Sequence, residues 1–475
     1  MRQHAFIILS LFAFLFVLGS CKKDRLLTSG GELRFSTDTL TFDTVFTSLG
    51  SFTLGLKLFN PQGQKVNVSS VRLEKGNSSF FRLNVNGISG NQVNDLEVAA
   101  NDSIYVFATV KIDPTNANSP FIVEDRLIAT LNGKEYSIPL FAYGQNAHYL
   151  TDSVITQSDT WLTDKPYVIL HSALVDKNCT LTIPPGCRVY MHADSRLYVL
   201  GRLLCGVGGS KDDTVIFQGN RLDRAYFGYE DYPGEWGGIY FDSSSTGNVM
   251  EWTILKNCGN NIGGGLPFAV EVFGKPGITT QLTMDHCIIR NSIGYGILSF
   301  GGNIKASNTL VHDCGAQALA IFQGGTYEFT NCSFVNYFPK KVSHTDNPTV
   351  AVLNYLDIGN GQYIGGDLNA TFNYCIMYGS LENEVVCDKA DGPQYNISFN
   401  TCLIRSKDGL AEFPVAAPSS IFNEDPKFVD YSKWNFRLQE GSPAIDKCPP
   451  LSTTDLDGFP RTGGAAGDIG CYEYH

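Results

Sequence analysis

Through the middle of the chain, apolar and polar residues alternate in short runs, and the runs recur. Leu282 and Met284 alternate with polar neighbours, as do Ile304 and Ala306, Tyr327 and Phe329, and Ile397 and Phe399. Alternation with period two predicts strands. Each run leads into one motif: an apolar residue, two polar or aromatic residues, Cys or Thr, one residue, another apolar residue, and often Asn or Asp two further on. The copies are MEWTILKN at Thr253, MDHCIIRN at Cys287, ASNTLVHD at Thr309, FTNCSFVN at Cys332, FNYCIMYG at Cys375 and FNTCLIRS at Cys402. The steps between them are 34, 22, 23, 43 and 27 residues, so the unit is about 22 residues with insertions or a doubled step. That is too short for a βαβ crossover, which needs about 30, and no ten-residue stretch is amphipathic as a helix. The pattern predicts short strands coiled and stacked about 4.8 Å apart, a right-handed parallel β-helix solenoid over 150–440.

Stacking turns each repeat position into a ladder. The inward Cys/Thr position gives Thr253, Cys287, Thr309, Cys332, Cys375 and Cys402, and the position two later gives Leu255, Ile289, Val311, Phe334, Met377 and Ile404. Asn257, Asn291, Asp313 and Asn336 form a turn ladder whose side chains can bond along the stack and tolerate left-handed backbone. Earlier coils are less regular: CTLTIPPGCRVYMH from Cys179, then SRLYVLGRLLCGVG and DDTVIFQGN.

Residues 32–147 lack the motif. Seven strand-like runs, LTFDTVFT, FTLGLKLFN, VNVSSVRLE, FFRLNVNG, SIYVFATVKI, DRLIATLNG and EYSIPLFAYG, are separated by turn signals such as Asn86-Gly87 and Asn132-Gly133. This predicts an N-terminal immunoglobulin-like sandwich, and the whole chain is expected to be all-β. Residues 441–475 are expected to be a tail packed on the solenoid.

Composition adds an address. Arg2 followed by a continuous apolar run from Ala5 to Leu18, ending Leu18-Gly19-Ser20-Cys21, reads as a signal peptide over 1–21. The small pair before Cys21 resembles the bacterial lipobox. That resemblance implies lipidation of Cys21, a polar linker over 22–31, and attachment to a membrane by acyl chains. Lys22 and Lys23 after it point to the outer membrane of the cell envelope, periplasmic or surface-facing. The net charge of −12 without a basic arm argues against nucleic acid as a partner. Twelve of the 13 Cys lie from Cys179 to Cys471 with no CxxC pair, and Cys448 with Cys471 is a candidate disulfide.

LTIPPGCRVYMH, GEWGGIYF, the Cys/Thr copies and the tail resemble the lipoproteins of Bacteroidota that carry a right-handed β-helix of the pectin-lyase-like superfamily. The tail runs DPKFVDYSKWNFRLQEGSPAID from Asp425, then DLDGFPRTGGAAGDIGCYEY up to Tyr474. The resemblance covers about 150–475. It implies the fold but no single activity, since members include polysaccharide lyases, glycoside hydrolases and proteins with no known reaction. It implies a polysaccharide or glycan as partner and a site on an outer face.

Three residues after the Cys/Thr anchor stand Lys256, Arg290 and His312, predicted to point outward as a basic strip, with Arg290 or His312 as a base. Glu251, Asp285 and His286 lie beside it. A solvated face of alternating charge explains the same residues. The insertion FGYEDYPGEWGG offers Glu230, Asp231, Glu235 and Trp236 for sugar binding, or an edge-capping loop with Trp236 buried. Asp455, Asp457 and Asp468 could bind calcium or cap turns; no specific motif demands a cofactor. The paired Asp residues of β-helix hydrolases do not appear at an equivalent turn. Three functions stay open: glycan binding, a lyase-like enzyme on acidic glycans, or an adhesive stalk.

Overall fold

The computed structural model describes residues 25–114, 120–228, 232–275, 279–337, 342–407, 409, 413–449, 453–461 and 466–475. Cys21, Glu230 and Asp231 lie outside the described residues. Contacts divide the chain into a unit ending at Asn146 and a unit from Ala147.

The first unit is a sandwich of two five-stranded sheets. One contains Leu54–Phe59, Phe81–Val85 and Ser103–Val110, and the other Leu40–Phe46, Val66–Leu73, Phe121–Leu131 and Lys134–Gln145. These are the seven predicted strands. Inward residues of both sheets, among them Phe42, Leu58, Val71, Phe81, Val106 and Leu127, form one core. The pairing is antiparallel except between Leu40–Phe46 and Lys134–Gln145. Gln92–Val98, paired to Val66–Leu73, was not anticipated because four of its seven residues are polar and exposed. Asn86 and Gly87 turn with φ of 50° and 88°, as a tight primed hairpin requires.

The second unit is the solenoid. Each coil supplies one strand to each of three parallel faces. In one coil these are Leu282–Asp285 on face 1, Ile288–Ser292 on face 2 and Tyr295–Phe300 on face 3. The next coil repeats them at Asn303–Ser307, Leu310–Cys314 and Leu319–Phe322. Face 1 is a stack of nine strands, and the parallel stack ends with Ile421–Phe422.

The recurring motif spans the corner from face 1 to face 2. A single left-handed residue makes that corner: Trp252, His286, Asn308, Asn331, Tyr374 and Thr401 have φ between 42° and 57°. Such a backbone costs a non-Gly residue about 1–2 kcal/mol. The anchor residue compensates locally. Thr253 and Thr309 donate to the carbonyl two residues earlier at 2.8 Å, and the thiols of Cys287, Cys332, Cys375 and Cys402 do so at 3.3–3.6 Å. Cys and Thr are therefore chosen as small residues that also satisfy a buried carbonyl. All six are fully buried.

Along the interior, Phe329, Phe372 and Phe399 stack with centroids 5.1 and 4.7 Å apart. At the end of face 2, Asn291 Nδ2 donates to Asn257 Oδ1 at 2.6 Å. The twelve described cysteines are all free, so Cys448 and Cys471 form no disulfide. Cys448 donates instead to the Asp468 carbonyl at 3.2 Å, and Cys471 packs among the apolar residues that the tail shares with the solenoid.

Candidate functional site

The predicted basic strip is in register, with Lys256 beside Arg290 and Arg290 beside His312. It is not an open surface. The next rungs are Val335 and Tyr378, and the tail covers the ladder. His312 is 1% exposed, with Nδ1 2.6 Å from Asp313 Oδ2 and its ring packed on Phe436 at 4.8 Å. Burial pushes its imidazole pKa down against the pull of Asp313. Arg290 lies over the Trp434 ring at 4.9 Å. The missed signal is the outward position immediately after the anchor. Ile288, Leu310, Ile376 and Leu403 are apolar there, and they join Phe428, Phe436, Leu438, Ile469 and Tyr472 of the tail in one core.

The remaining candidates are also engaged within the fold. Glu251 and Asp285 are in register on face 1. Glu251 Oε2 accepts from Gly208 N at 2.8 Å, and Asp285 Oδ1 accepts from Ser307 and Asn308. His286 is buried, stacks on Trp252 at 4.1 Å and bonds Thr454 at 2.9 Å. Glu235 is buried beside Arg224, and Trp236 is buried with Nε1 donating to the Lys256 carbonyl. Asp455 and Asp468 accept from backbone amides of the tail, and Asp457 pairs with Arg437 and Lys211. Among the described residues, no group of three or more His, Cys, Asp or Glu is arranged to hold a metal ion.

An open site lies instead at the corner from face 3 to face 1. The chain turns there on glycines: Gly274, Gly301-Gly302, Gly324-Gly325 and Gly365-Gly366. Successive coils approach so closely that a Cβ on Gly274 would sit 1.7 Å from the Gly301 carbonyl oxygen. One on Gly366 would sit 2.3 Å from that of Gln323. At Gly274 and Gly366 no side chain fits, and the glycine-rich backbone becomes the floor of a cleft of about 530 Å³.

The two walls differ in chemistry. On the face 3 side the wall is Phe273 and Phe300, in register with centroids 5.6 Å apart, and Phe322 continues their ladder behind the cleft at 5.9 Å from Phe300. Phe273, at the mouth, is 42% exposed. On the face 1 side stand Asn303, Thr326 and Asn369, also in register, with Lys275 and Asp367 on the rim. Asn396 Nδ2 donates to Asn369 Oδ1 at 2.9 Å, holding that amide in place. Rings on one wall and amides with a hydroxyl on the other suit a ligand with one apolar and one hydroxylated aspect.

Face 3 continues the aromatic surface toward earlier coils. Tyr198, Tyr240 and Glu271 are in register, and the two tyrosine rings meet edge-on at 5.9 Å. Burial pushes the Glu271 carboxyl up to about 7, with Arg196 opposing it. Arg196 is itself held over the Phe268 ring at 4.3 Å. The sequence carried a sign of this site: Phe-Gly at Phe273, Phe-Gly-Gly at Phe300 and Phe-Gln-Gly-Gly at Phe322 recur at steps of 27 and 22 residues. They read as turns alone until the faces are assigned.

The fold defines the chain as a β-sandwich followed by a right-handed β-helix. The family description "Right handed beta helix region" matches residues 171–334. No curated protein matches the chain. Among solved structures, it is similar to the catalytic domain of a GH87 α-1,3-glucanase in complex with tetrasaccharides. The identity is 9%, covering 83% of this chain and 92% of that one, with a TM-score of 0.16. It is similar to the PapD-like domain 7 of human CEP192 at 12% identity, over 26% of this chain and 92% of that one, with a TM-score of 0.17. A family 123 glycoside hydrolase from Clostridium perfringens shares 14% identity over 24% of this chain, with a TM-score of 0.17, and the match spans only 25% of that enzyme.

Proposed function

We propose that the protein is a cell-envelope lipoprotein, anchored through Cys21 to the outer membrane, whose solenoid binds a polysaccharide in the glycine-floored groove. The observation that carries the binding reading is the opposition of Phe273 and Phe300 to the Asn303–Thr326–Asn369 row across a glycine-rich backbone floor. A pyranose ring presents C–H groups on its faces and hydroxyls at its edge, which matches the two walls. Repetition over adjacent coils matches a polymer better than a monosaccharide. The lyase-like alternative relies on Lys256, Arg290 and His312, and it loses a base where His312 is packed under Trp434 and Phe436.

Affinity electrophoresis against a panel of neutral and acidic polysaccharides tests the reading. At least one polymer should retard the full chain, and Phe273→Ala with Asn369→Ala should abolish that retardation. Equal retardation of the variant would remove the groove as the site. Labelling with a radioactive fatty acid, lost in Cys21→Ser, tests the anchor.

A further inference from the structure

The N-terminal sandwich carries a second surface that its core does not explain. Tyr105 and Phe107 face outward on Ser103–Val110 and are 49% and 40% exposed. Their rings are parallel to within 6°, with centroids 5.8 Å apart. Gly55 is the cross-strand partner of Phe107, and a Cβ there would sit 3.0 Å from Phe107 Cε1. The missing side chain lets the phenyl ring lie down over the neighbouring strand. Lys57, the cross-strand partner of Tyr105, holds Nζ 5.0 Å from the centroid of its ring. On the opposite side Arg82 and Asn84 border a hollow of about 500 Å³ against Phe107. Arg82 is steadied there by Nη1 donating to the Phe81 carbonyl at 2.7 Å.

The charge of this face is the second observation. The outward residues of the three strands are Gly55, Lys57 and Phe59, then Arg82 and Asn84, then Ser103, Tyr105, Phe107 and Thr109. They include two cations and no carboxylate, in a chain of net charge −12. Rings laid flat between cations suit a sugar polymer that bears acidic groups.

We propose that this face is a separate binding site for an anionic polysaccharide, with sugar rings on Tyr105 and Phe107 and acidic groups at Lys57 and Arg82. It is independent of the solenoid groove. The test is affinity electrophoresis of the full chain through gels containing polygalacturonate, dextran sulfate or neutral dextran, at low and high salt. Retardation is expected in one or both polyanion gels, weakened by salt and absent with dextran; which polyanion acts distinguishes carboxylate from sulfate recognition. Tyr105→Ala with Phe107→Ala should weaken it at least tenfold, and Lys57→Gln severalfold with unchanged thermal unfolding. Phe273→Ala, in the groove, should leave a large part of the polyanion retardation in place. No polyanion retardation, or equal retardation in the Tyr105/Phe107 and Lys57 variants, overturns the proposal. So does a dimer in sedimentation that the Tyr105/Phe107 variant dissociates, because the face would then be covered by a second copy.

Discussion

Arg461, near the end of the chain, donates from Nε to the side-chain oxygen of Asn308 at 3.0 Å. Asn308 is a left-handed corner residue of the solenoid, and the tail engages its neighbours in the same ladder. Thr454 bonds His286, the carbonyl of Asp468 accepts from Asn331 at 3.0 Å, and Gly470 N donates to the Tyr374 carbonyl at 2.8 Å. The tail is thus a strap across the corners of four coils, and Leu310, Ile376 and Leu403 of face 2 are buried in one core with it.

Arg461 is the buried centre of that strap. It is 1% exposed, its Nη1 lies 2.6 Å from Glu473 Oε1, and its Nη2 donates to the Gly470 carbonyl at 3.0 Å. Arg461→Met strands the Glu473 carboxyl, which burial already pushes up. We expect a loss of about 3–5 kcal/mol in urea unfolding, typical of a broken buried pair, with partial recovery in Arg461→Met/Glu473→Gln. A loss below about 1 kcal/mol would contradict the strap.

This strap also separates what could be read in the sequence from what could not. The solenoid was legible because the alternation at Leu282–Met284 and its recurrence are local properties of each coil. The register of Lys256, Arg290 and His312 followed from the same repeat. The burial of His312 did not, because it depends on Trp434 and Phe436, more than a hundred residues away in sequence. Only the outward apolar row of Ile288, Leu310, Ile376 and Leu403 signalled a covered face. The groove was hidden for a different reason. Its floor is made of missing side chains, and Gly274 reads as an ordinary turn until the 1.7 Å approach of a Cβ there to the Gly301 carbonyl oxygen shows why nothing larger fits.

Glu235 should make stability depend on pH. Burial pushes its carboxyl up to about 7, against the pull of Arg224, whose Nε lies 3.1 Å away. A carboxyl raised in the folded state favours folding fully below its unfolded value of about 4.5, and that contribution is lost as pH rises through about 7. Glu235→Gln keeps the neutral form at every pH. Its stability relative to the native chain should be level near pH 4 and rise by up to about 3 kcal/mol by pH 8. Parallel stability curves across that window would refute this.

The cysteines should behave as core residues. Burial pushes the Cys205 thiol up to about 12 and raises Cys258, Cys332 and Cys375 as well. A thiol that stays protonated and out of solvent does not attack a disulfide reagent. Native protein should therefore react with Ellman's reagent far more slowly than protein in guanidinium, where the twelve cysteines from Cys179 to Cys471 become available. A reductant should leave the melting temperature unchanged, since the described cysteines are all free. A fall in melting temperature on reduction would reveal a disulfide and contradict the structure.

In the groove, Phe273 and Asn369 should separate binding from folding. Phe273 is 42% exposed at the mouth, so truncating it removes little of the core. Phe273→Ala should change stability by no more than about 1 kcal/mol, yet weaken glycan binding about tenfold, which corresponds to 1.4 kcal/mol. Asn369→Ala removes an amide from the opposite wall and frees the Asn396 donor, which can turn to water because both residues are exposed. Its cost should also fall on affinity rather than on stability. If each wall contacts the same sugar, the double variant should lose less than the sum of the two single losses, because a ligand released from one wall is no longer aligned with the other. Calorimetric titration of the four proteins with the retarding polymer measures this coupling. Strictly additive losses would mean that the walls hold different parts of the ligand, and unchanged affinity in both single variants would place the site elsewhere.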